Sequence, residues 1–397
     1  MPPPRPHPLT RSARVDRVIG WLETSWVRGW SPRPTLDPDE LWAIAFRKHA
    51  PEHERTGRSE ADIADFRLRL KRLCLAVRDE ARLNALGETM AHGQLQRAIT
   101  QRLELGALWS HRPALAQTRV APPILVIGQM RSGTTRVHRL LGADPAHATT
   151  RFCDSWLPVP RRPDLRPAWS RLMLGLGNWL NPWMDMIHPV KPHKPDEELG
   201  WLAAALDHGA YEAQWHVPSY VAFSEGRDHT PVYAEFARIM RTDAAWHGNA
   251  HRPRVMKVPQ FADNLPALLA AFPDARVVRT LRDPAEVARS AASLYANQMT
   301  VQSDTVDMDW VNAEVNRKIA RREQVIDKAL AQFAGPMSTA RFTDLNENWE
   351  AEIARIYRDL SLPLTEAAME AMRGEQDRTR SGDHRVHARQ YAAFVKA

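Results

Sequence analysis

The stretch VIGQMRSGTT, residues 126–135, has the spacing of a phosphate-binding loop. Gly128 and Gly133 stand five residues apart, as in the nucleotide loop GxxxxGK[ST], but Thr134 occupies the lysine position. Backbone N–H groups at the start of a following helix, together with hydroxyls, surround an anion well. The lysine that reaches the β and γ phosphates of ATP is missing, whereas Arg131 adds a positive charge. The stretch predicts an anion site, and the alternative is a tight strand-to-helix turn without a ligand.

A second stretch, RVVRTLRDPAEVARS at 276–290, combines a strand end with a helix start. Arg282 ends the strand, and Asp283 begins a helix with the Asp-Pro-x-Glu pattern of an N-terminal cap. Ser290 lies two helical turns beyond Asp283 and returns to nearly the same face. We expect the Arg282 guanidinium to meet the Ser290 hydroxyl around one phosphate. The alternative is a surface arginine and an ordinary helical serine.

Composition limits the class of protein. The 397 residues are 44% hydrophobic and 25% charged, and Lys and Arg outnumber Asp and Glu by 54 to 47, which favours anionic ligands. The arginines are scattered and form no basic run, so nucleic acid is not the expected partner. Cys74 and Cys153 form no CxxC pattern, which predicts a reducing compartment without a disulfide framework or zinc site. No apolar window approaches the ~18 residues of a membrane span, so we expect a cytoplasmic protein.

Periodicity divides the chain into three parts. Residues 1–16 are rich in Pro and Arg and are expected to be poorly ordered, residues 17–115 have helical spacing, and residues 120–397 alternate strands with helices. Helix starts are predicted at DPDE (37–40) and SEAD (59–62), and Gly87 is expected to end the second of these helices. The predicted strands are 124–128, 254–258, 275–281 and 338–342. We predict a P-loop-like three-layer α/β/α fold with a mostly parallel sheet, preceded by an α-helical N-terminal segment.

These motifs together resemble one enzyme family. RSGTT after an apolar strand, with Arg282 and Ser290 eight residues apart, is similar to the sulfotransferases of the broad bacterial type, which use 3′-phosphoadenosine 5′-phosphosulfate (PAPS). RVMKVPQF and the stretch ARFTDLNENWEAEIARIYRDL look like later strands of that family. The resemblance implies that Arg282 and Ser290 hold the 3′-phosphate. It also implies that the phosphosulfate loop consists of Arg131, Ser132, Gly133, Thr134 and Thr135.

The resemblance assigns charge stabilisation to two cations. The reaction moves a sulfuryl group from phosphate to an acceptor hydroxyl or amine, and negative charge grows on the leaving phosphate oxygen. Arg131 occupies the cation position of the family loop. Lys257 ends a strand at the carboxyl edge of the sheet, where open α/β sheets bind ligands. A solvated strand-end lysine is the alternative for Lys257, and no metal is expected.

The general base is less clearly marked. Many relatives have a histidine just after the lysine strand, but KVPQFAD offers none. The stretch IHPVKPHKPDEELG resembles a Pro-x-Glu segment of the bacterial type, which implies Glu197 as the base, with Glu198 and His188 in reserve. The alternative is that PDEE only starts a helix, where acidic residues are favourable.

The acceptor is indicated only by composition. Trp and Met residues between 156 and 215 predict either an apolar acceptor pocket or lid, or ordinary core. They are Trp156, Trp169, Met173, Trp179, Trp183, Met184, Met186, Trp201 and Trp215. The basic stretch RTRSGDHRVHARQY (378–391) either adds cations at the 3′-phosphate or is a solvated tail. Two other functions stay open: an atypical P-loop kinase or NTPase, and a non-enzymatic module that binds anions or nucleic acid. The oligomeric state is not indicated.

Overall fold

The computed structural model describes residues 7, 9–183 and 190–380. The N-terminal helices are α1 (Ala13–Val27), α2 (Pro38–Phe46), α3 (Glu60–Asp79), α4 (Ala85–His111) and α5 (Ala114–Gln117), with a 3-10 turn at Pro51–Glu54. The chain continues as β1 (Ile124–Ile127), α6 (Thr134–Ala143), α7 (Phe152–Trp156), α8 (Arg166–Leu180), α9 (Leu199–Ala204), α10 (Ala210–Gln214), α11 (Pro218–Glu225) and α12 (Thr230–His247). The remaining elements are β2 (Val255–Met256), a 3-10 turn at Pro259–Ala262, α13 (Leu265–Ala271), β3 (Arg276–Leu281), α14 (Pro284–Gln302), α15 (Met308–Leu330), β4 (Met337–Arg341), α16 (Phe342–Asp359) and α17 (Glu366–Arg380).

In the described part of the chain, four strands form one parallel sheet in the order β2-β1-β3-β4. Ile124 of β1 lies opposite Val255 of β2 on one side and Arg276 of β3 on the other. The four predicted strands are therefore confirmed. Because parallel strands all end at the same edge, the loop after β1 and the residues after β2 and β3 meet there.

Alternate residues of β1 enter two different cores, which makes the fold three-layered. Ile124 and Val126 pack with apolar residues of α6, α16 and α17. Leu125 and Ile127 pack with residues of α4, α9, α12 and α13 on the opposite face. All four side chains are fully buried, as expected for a parallel strand covered on both faces. The predicted three-layer α/β/α fold is confirmed.

The N-terminal helices share the core of the α/β part. Leu105 and Trp109 of α4 lie in the same cluster as the β1 residues Leu125 and Ile127. Helix α1 begins at Ala13, within the segment that the sequence predicted to be poorly ordered. The division at residues 16, 115 and 120 stays a prediction.

Helix starts follow the predicted caps, but one predicted helix end is wrong. Asp37 accepts hydrogen bonds at the start of α2, and Ser59 with Asp62 forms a capping box at the start of α3. Helix α3 ends at Asp79, whereas Gly87 lies in the first turns of α4. A Cβ atom at Gly87 would lie 2.1 Å from the carbonyl oxygen of Gln302. Gly87 is therefore a point of close packing between α4 and the end of α14.

No helix within residues 9–183 and 190–380 is both long enough and apolar enough to cross a membrane.

Substitution Gly87→Ala should lower the free energy of unfolding by about 1–3 kcal/mol, because the added methyl group overlaps backbone that cannot move freely. Gly93→Ala is the matched control, since Gly93 lies in the same helix with no atom within 4 Å of the added Cβ. The control should raise stability by about 0.5–1 kcal/mol. Urea denaturation of both variants measures the difference, and equal effects would contradict the contact with Gln302.

Candidate active site

The loop between β1 and α6 is folded by two close approaches. Gly128 and Gly133 have backbone φ values of 144° and 98°, which residues other than glycine rarely adopt. A Cβ atom would lie 2.3 Å from Thr280 Oγ1 at Gly128 and 2.9 Å from the Phe342 ring at Gly133. The loop therefore turns tightly over the ends of β1 and β3. It presents the first turn of α6, whose N–H groups have no acceptor within the helix.

Ser132 does not line the cavity, unlike the other loop residues named from the sequence. Its side chain is 1% exposed. Its hydroxyl hydrogen-bonds the Gln129 carbonyl oxygen at 2.6 Å and Thr280 Oγ1 at 2.6 Å. Ser132 thus braces the loop from inside. The cavity is lined by its neighbours Arg131, Gly133, Thr134 and Thr135.

Two arginines converge on the loop. Arg131 Nε donates to Ser290 Oγ at 2.9 Å, and Arg282 Nη1 donates to the Arg131 carbonyl oxygen at 2.9 Å. Arg282 also pairs with Glu286 at 2.8 Å and stacks on the Phe342 ring at 4.2 Å from its centroid. Burial, and then the nearby charge of Arg282, lower the pKa of Arg131. This corner therefore favours an anion.

The arginine that meets Ser290 differs from the expected one. The sequence predicted contact between the Arg282 guanidinium and the Ser290 hydroxyl, whereas Arg131 donates to that hydroxyl. The partners of Arg282 explain the difference. Its guanidinium donates to Glu286 in the first turn of α14 and to the Arg131 carbonyl oxygen of the loop. Arg282 and Ser290 nevertheless line the same cavity.

Lys257 follows β2 and is 2% exposed, so it is not a solvated lysine. Its Nζ donates to Thr135 Oγ1 at 3.1 Å and to the Glu197 carboxylate. A buried ammonium is stable only when it is paired in this way. Lys257 therefore connects the phosphate-type loop with the carboxylate expected to act as base.

The three candidate bases occupy different places. The Glu197 side chain lines the cavity and is 14% exposed, whereas Glu198 is fully buried and lies away from it. Glu198 Oε2 accepts the backbone N–H of Lys257 at 2.9 Å. Burial raises the pKa of Glu198 to about 8. His188 lies outside the described residues.

One cavity of about 840 Å³ contains these groups, within the size range of ligand sites. It holds Arg131, Lys257 and Glu197, and part of its wall is apolar. The apolar lining residues are Met130, Phe152, Trp156, Val190, Leu199, Ala210, Ala213, Pro259, Leu294 and Phe342.

Among the predicted Trp and Met residues, Trp156 lines the cavity. Trp201 and Trp215 are fully buried in the core, and Trp169 and Trp179 are exposed. Met184, Met186 and the greater part of the basic stretch 378–391 lie outside the described residues. The aromatic stretch therefore serves several purposes, of which the cavity wall is one.

Two residues that shape the site were not predicted from the sequence. Thr280 fills the space beneath Gly128, and Phe342 packs against Gly133 while carrying the Arg282 guanidinium. Both lie at the carboxyl ends of strands, β3 and β4, and that position is the signal that points to them.

A separate group of potential metal ligands lies outside the cavity lining. Asp154, Asp243 and His247 have ligand atoms within 4.8 Å of one another. The carboxylates are already paired, Asp154 with Arg166 at 3.0 Å and Asp243 with Arg254 at 2.7 Å. Hydrogen bonding to Asp154 and Asp243 raises the pKa of His247 to about 9, so its ring is protonated at neutral pH. We interpret the group as an ion-pair cluster.

Comparison with known families gives one match across more than half of the chain. Residues 122–366 match the profile described as the sulfotransferase family. The chain is 22% identical over 271 residues to omega-hydroxy-beta-dihydromenaquinone-9 sulfotransferase Stf3 of Mycobacterium tuberculosis and of Mycobacterium bovis. Each alignment covers 62% of this chain and 65% of the relative's length.

Solved structures with a similar fold are also sulfotransferases. STF1 of Mycobacterium tuberculosis H37Rv is 27% identical with a TM-score of 0.74, and the match covers 92% of this chain and 100% of that chain. STF9 of Mycobacterium avium is 20% identical with the same TM-score of 0.74, covering 87% of this chain and 88% of that one. The second likeness concerns the fold.

Substitution Glu198→Gln should flatten the pH dependence of stability. The Glu198 pKa rises from 4.5 to about 8 on folding, so between these values the unfolded chain releases a proton that the native protein keeps. The free energy of unfolding therefore falls as pH rises through this window, by up to about 1.4 kcal/mol per pH unit from this group, and the fall ends above pH 8. Denaturation curves from pH 5 to 9 measure the slope.

Glu347→Gln is the control for this measurement, since Glu347 is exposed on α16 and should leave the slope unchanged. A Glu198→Gln variant in which the free energy of unfolding keeps the wild-type slope against pH would show that Glu198 is already ionised in the native protein.

Proposed function

Because the chain belongs to the sulfotransferase family, we propose that it transfers a sulfuryl group from PAPS to the hydroxyl of an apolar acceptor. The observation that carries the proposal is the convergence of Arg131, Arg282 and Ser290 on the first turn of α6. A donor with anionic groups at both the 5′ and 3′ positions needs two positive regions close together. The loop and this arginine corner supply them within one cavity.

The backbone and the charge of the loop between β1 and α6 are both suited to binding a phosphosulfate group. Gly128 and Gly133 allow the main chain to approach a ligand closely, and the N–H groups of α6 provide donors. Thr134 stands where a kinase loop has its lysine, which disfavours the alternative of a magnesium-dependent P-loop kinase. We assign the 5′ end of the donor to Arg131, Gly133, Thr134 and Thr135.

The 3′-phosphate is assigned to Arg282 and Ser290. Arg131 contributes to both regions, because its side chain reaches Ser290 while its carbonyl oxygen accepts from Arg282. Stacking on Phe342 fixes the plane of the Arg282 guanidinium. A planar guanidinium held in this way binds phosphate with less loss of side-chain entropy than a free one.

The transfer forms a bond between the acceptor oxygen and sulfur, breaks the sulfur–oxygen bond to the donor phosphate, and releases the acceptor proton. We assign that proton to the Glu197 carboxylate, which lines the cavity beside Lys257. The Lys257 ammonium, placed against Thr135 of the loop, stabilises negative charge on the leaving phosphate oxygen. The same ammonium holds the Glu197 carboxylate in position through its hydrogen bond.

The acceptor is proposed to be an apolar alcohol. The cavity has the apolar wall formed by residues such as Phe152, Trp156 and Leu294. Its mycobacterial relative is named for an omega-hydroxylated dihydromenaquinone, an alcohol with an apolar chain.

Two free buried cysteines, Cys74 and Cys153, agree with a reducing compartment, which supports a cytoplasmic site of action.

Substitution Arg282→Ala should weaken binding of 3′-phosphoadenosine 5′-phosphate by about 10- to 100-fold, the usual loss for a charged hydrogen bond. Binding of adenosine 5′-phosphate, which lacks the 3′-phosphate, should change by less than about threefold. Calorimetry with both nucleotides measures the ratio.

Arg279→Ala serves as the control, because Arg279 lies in β3, just before Arg282, but pairs with Glu323 and Asp327 outside the cavity lining. Equal losses for the two nucleotides in the Arg282 variant would remove Arg282 from its assigned role.

Substitution Glu197→Gln should lower kcat by about 10²- to 10⁴-fold, since the amide cannot take the acceptor proton. Binding of 3′-phosphoadenosine 5′-phosphate should survive, because the amide still accepts a hydrogen bond from Lys257. Radiolabelled PAPS with a medium-chain primary alcohol measures turnover.

Asp196→Asn tests the neighbouring carboxylate, which also lines the cavity. Loss of turnover in this variant, with undiminished turnover in Glu197→Gln, would transfer the role of base from Glu197 to Asp196.

A further inference from the structure

Helix α8 exposes an apolar face along its whole length. Leu165, Trp169, Leu172 and Leu176 are 58%, 57%, 58% and 50% exposed, and they follow helical spacing. The opposite face, which contains Arg166 and Ser170, is buried against the protein. A helix on the surface of a water-soluble protein normally has the reverse arrangement. This apolar face, hereafter the α8 face, is completed by Met173 and Trp179.

The exposed charges that flank the α8 face in the sequence are mostly positive, and the exposed Asp164 before Leu165 pairs with Arg166 at 2.8 Å. Residues 166–183 contain no acidic residue, and Arg171 is exposed within them. Lys191 and Lys194 are exposed beyond the helix, and the whole chain carries a formal net charge of +7. Amphipathic helices with Trp and Leu on one face and cations nearby bind at the surface of anionic bilayers. The apolar face and the positive charges together favour an anionic lipid surface, because a bilayer offers both acyl chains and negative headgroups.

The α8 face is firmly attached to the rest of the protein. Ser12 Oγ and Arg14 Nη1 of the α1 region donate to the carbonyl oxygens of Leu180 and Trp179. The Arg14 guanidinium also stacks on the Trp179 ring at 5.6 Å from its centroid. A helix held in this way transmits its orientation on a surface to the whole enzyme.

The chain on both sides of α8 contributes to the active-site cavity. Helix α7 precedes α8 and contacts it, and its Phe152 and Trp156 line the cavity. Val190, which follows α8 in the sequence, also lines the cavity. Helix α8 is therefore connected along the chain, and through its contact with α7, to residues of the apolar wall assigned to the acceptor. This point rests on the proposed function.

We propose that the α8 face docks the enzyme on the surface of an anionic bilayer, so that an alcohol dissolved in the membrane enters the cavity from the lipid. Burial of the α8 side chains in the interface provides the apolar contribution, and Arg171, Lys191 and Lys194 contribute attraction to anionic headgroups. The helix lies along the surface.

Sedimentation with vesicles tests the docking without any need for catalysis. The enzyme should bind vesicles of phosphatidylcholine containing about one-third phosphatidylglycerol, bind pure phosphatidylcholine more weakly, and bind less at high salt. Leu172→Ser with Leu176→Ser should weaken binding by about tenfold or more, because two apolar side chains are lost from the interface. Leu68→Ser with Met337→Ser is the matched control, since these residues are 43% and 42% exposed elsewhere on the surface, and it should bind as wild type.

Activity separates this inference from the proposed function. The Leu172→Ser, Leu176→Ser variant should keep the wild-type kcat/KM with a water-soluble alcohol and lose at least about tenfold with an alcohol presented in the vesicles. Transfer to the soluble alcohol without vesicle binding would overturn the docking and leave the function intact, whereas vesicle binding without any transfer would do the reverse. A wild-type dimer that the same variant dissociates, with no vesicle binding, would assign the α8 face to a second copy of the chain.

Discussion

The close approach of Gly128 to Thr280 governs the geometry of the site. A Cβ atom at Gly128 would overlap Thr280 Oγ1, so the loop after β1 can lie directly against the end of β3 only because the residue is glycine. Ser132 then hydrogen-bonds the same threonine and turns its hydroxyl inward. These contacts orient α6 with its positive end toward the cavity, and the placement of Arg131 follows from them.

The charged groups of the site are stable because each has a defined partner. Lys257 is almost fully buried and depends on the Glu197 carboxylate, whereas Arg282 is balanced by Glu286 and by the Phe342 ring. Burial and then the charge of Arg282 lower the pKa of Arg131, whereas Glu197 acts in the opposite direction, so an anion bound at this corner would reduce the repulsion between the two arginines. The charge at this corner therefore favours a bound anion.

The sequence predicted the sheet well because short runs rich in apolar residues, each followed by a helix, leave few other folds. Strands β1 and β3 were found within a residue or two of their predicted bounds, whereas β2 has two paired residues in place of five. Its ladder stops because the Lys257 N–H bonds the Glu198 side chain and no neighbouring strand. No local pattern reveals a partner so far away in the chain, and for the same reason the inward hydroxyl of Ser132 and the packing of Gly87 against Gln302 were not foreseen. The loop glycines were predicted from their spacing, Lys257 from its position at a strand end and Ser290 from the family resemblance, and the roles of these residues stay predictions.

Helix α4 crosses from the N-terminal helices into the core beneath the sheet. Its Leu103 packs among the N-terminal helices with Leu95 and Ile99, whereas Leu105 and Trp109 pack beneath β1. The connection between α4 and β1 contains Pro113, Pro122 and Pro123, but the hydrophobic core is continuous on both sides of it. A fragment beginning at residue 120 would lack Leu105 and Trp109, so the core on this face of the sheet would lose the part of its cover that α4 provides while α9, α12 and α13 remain.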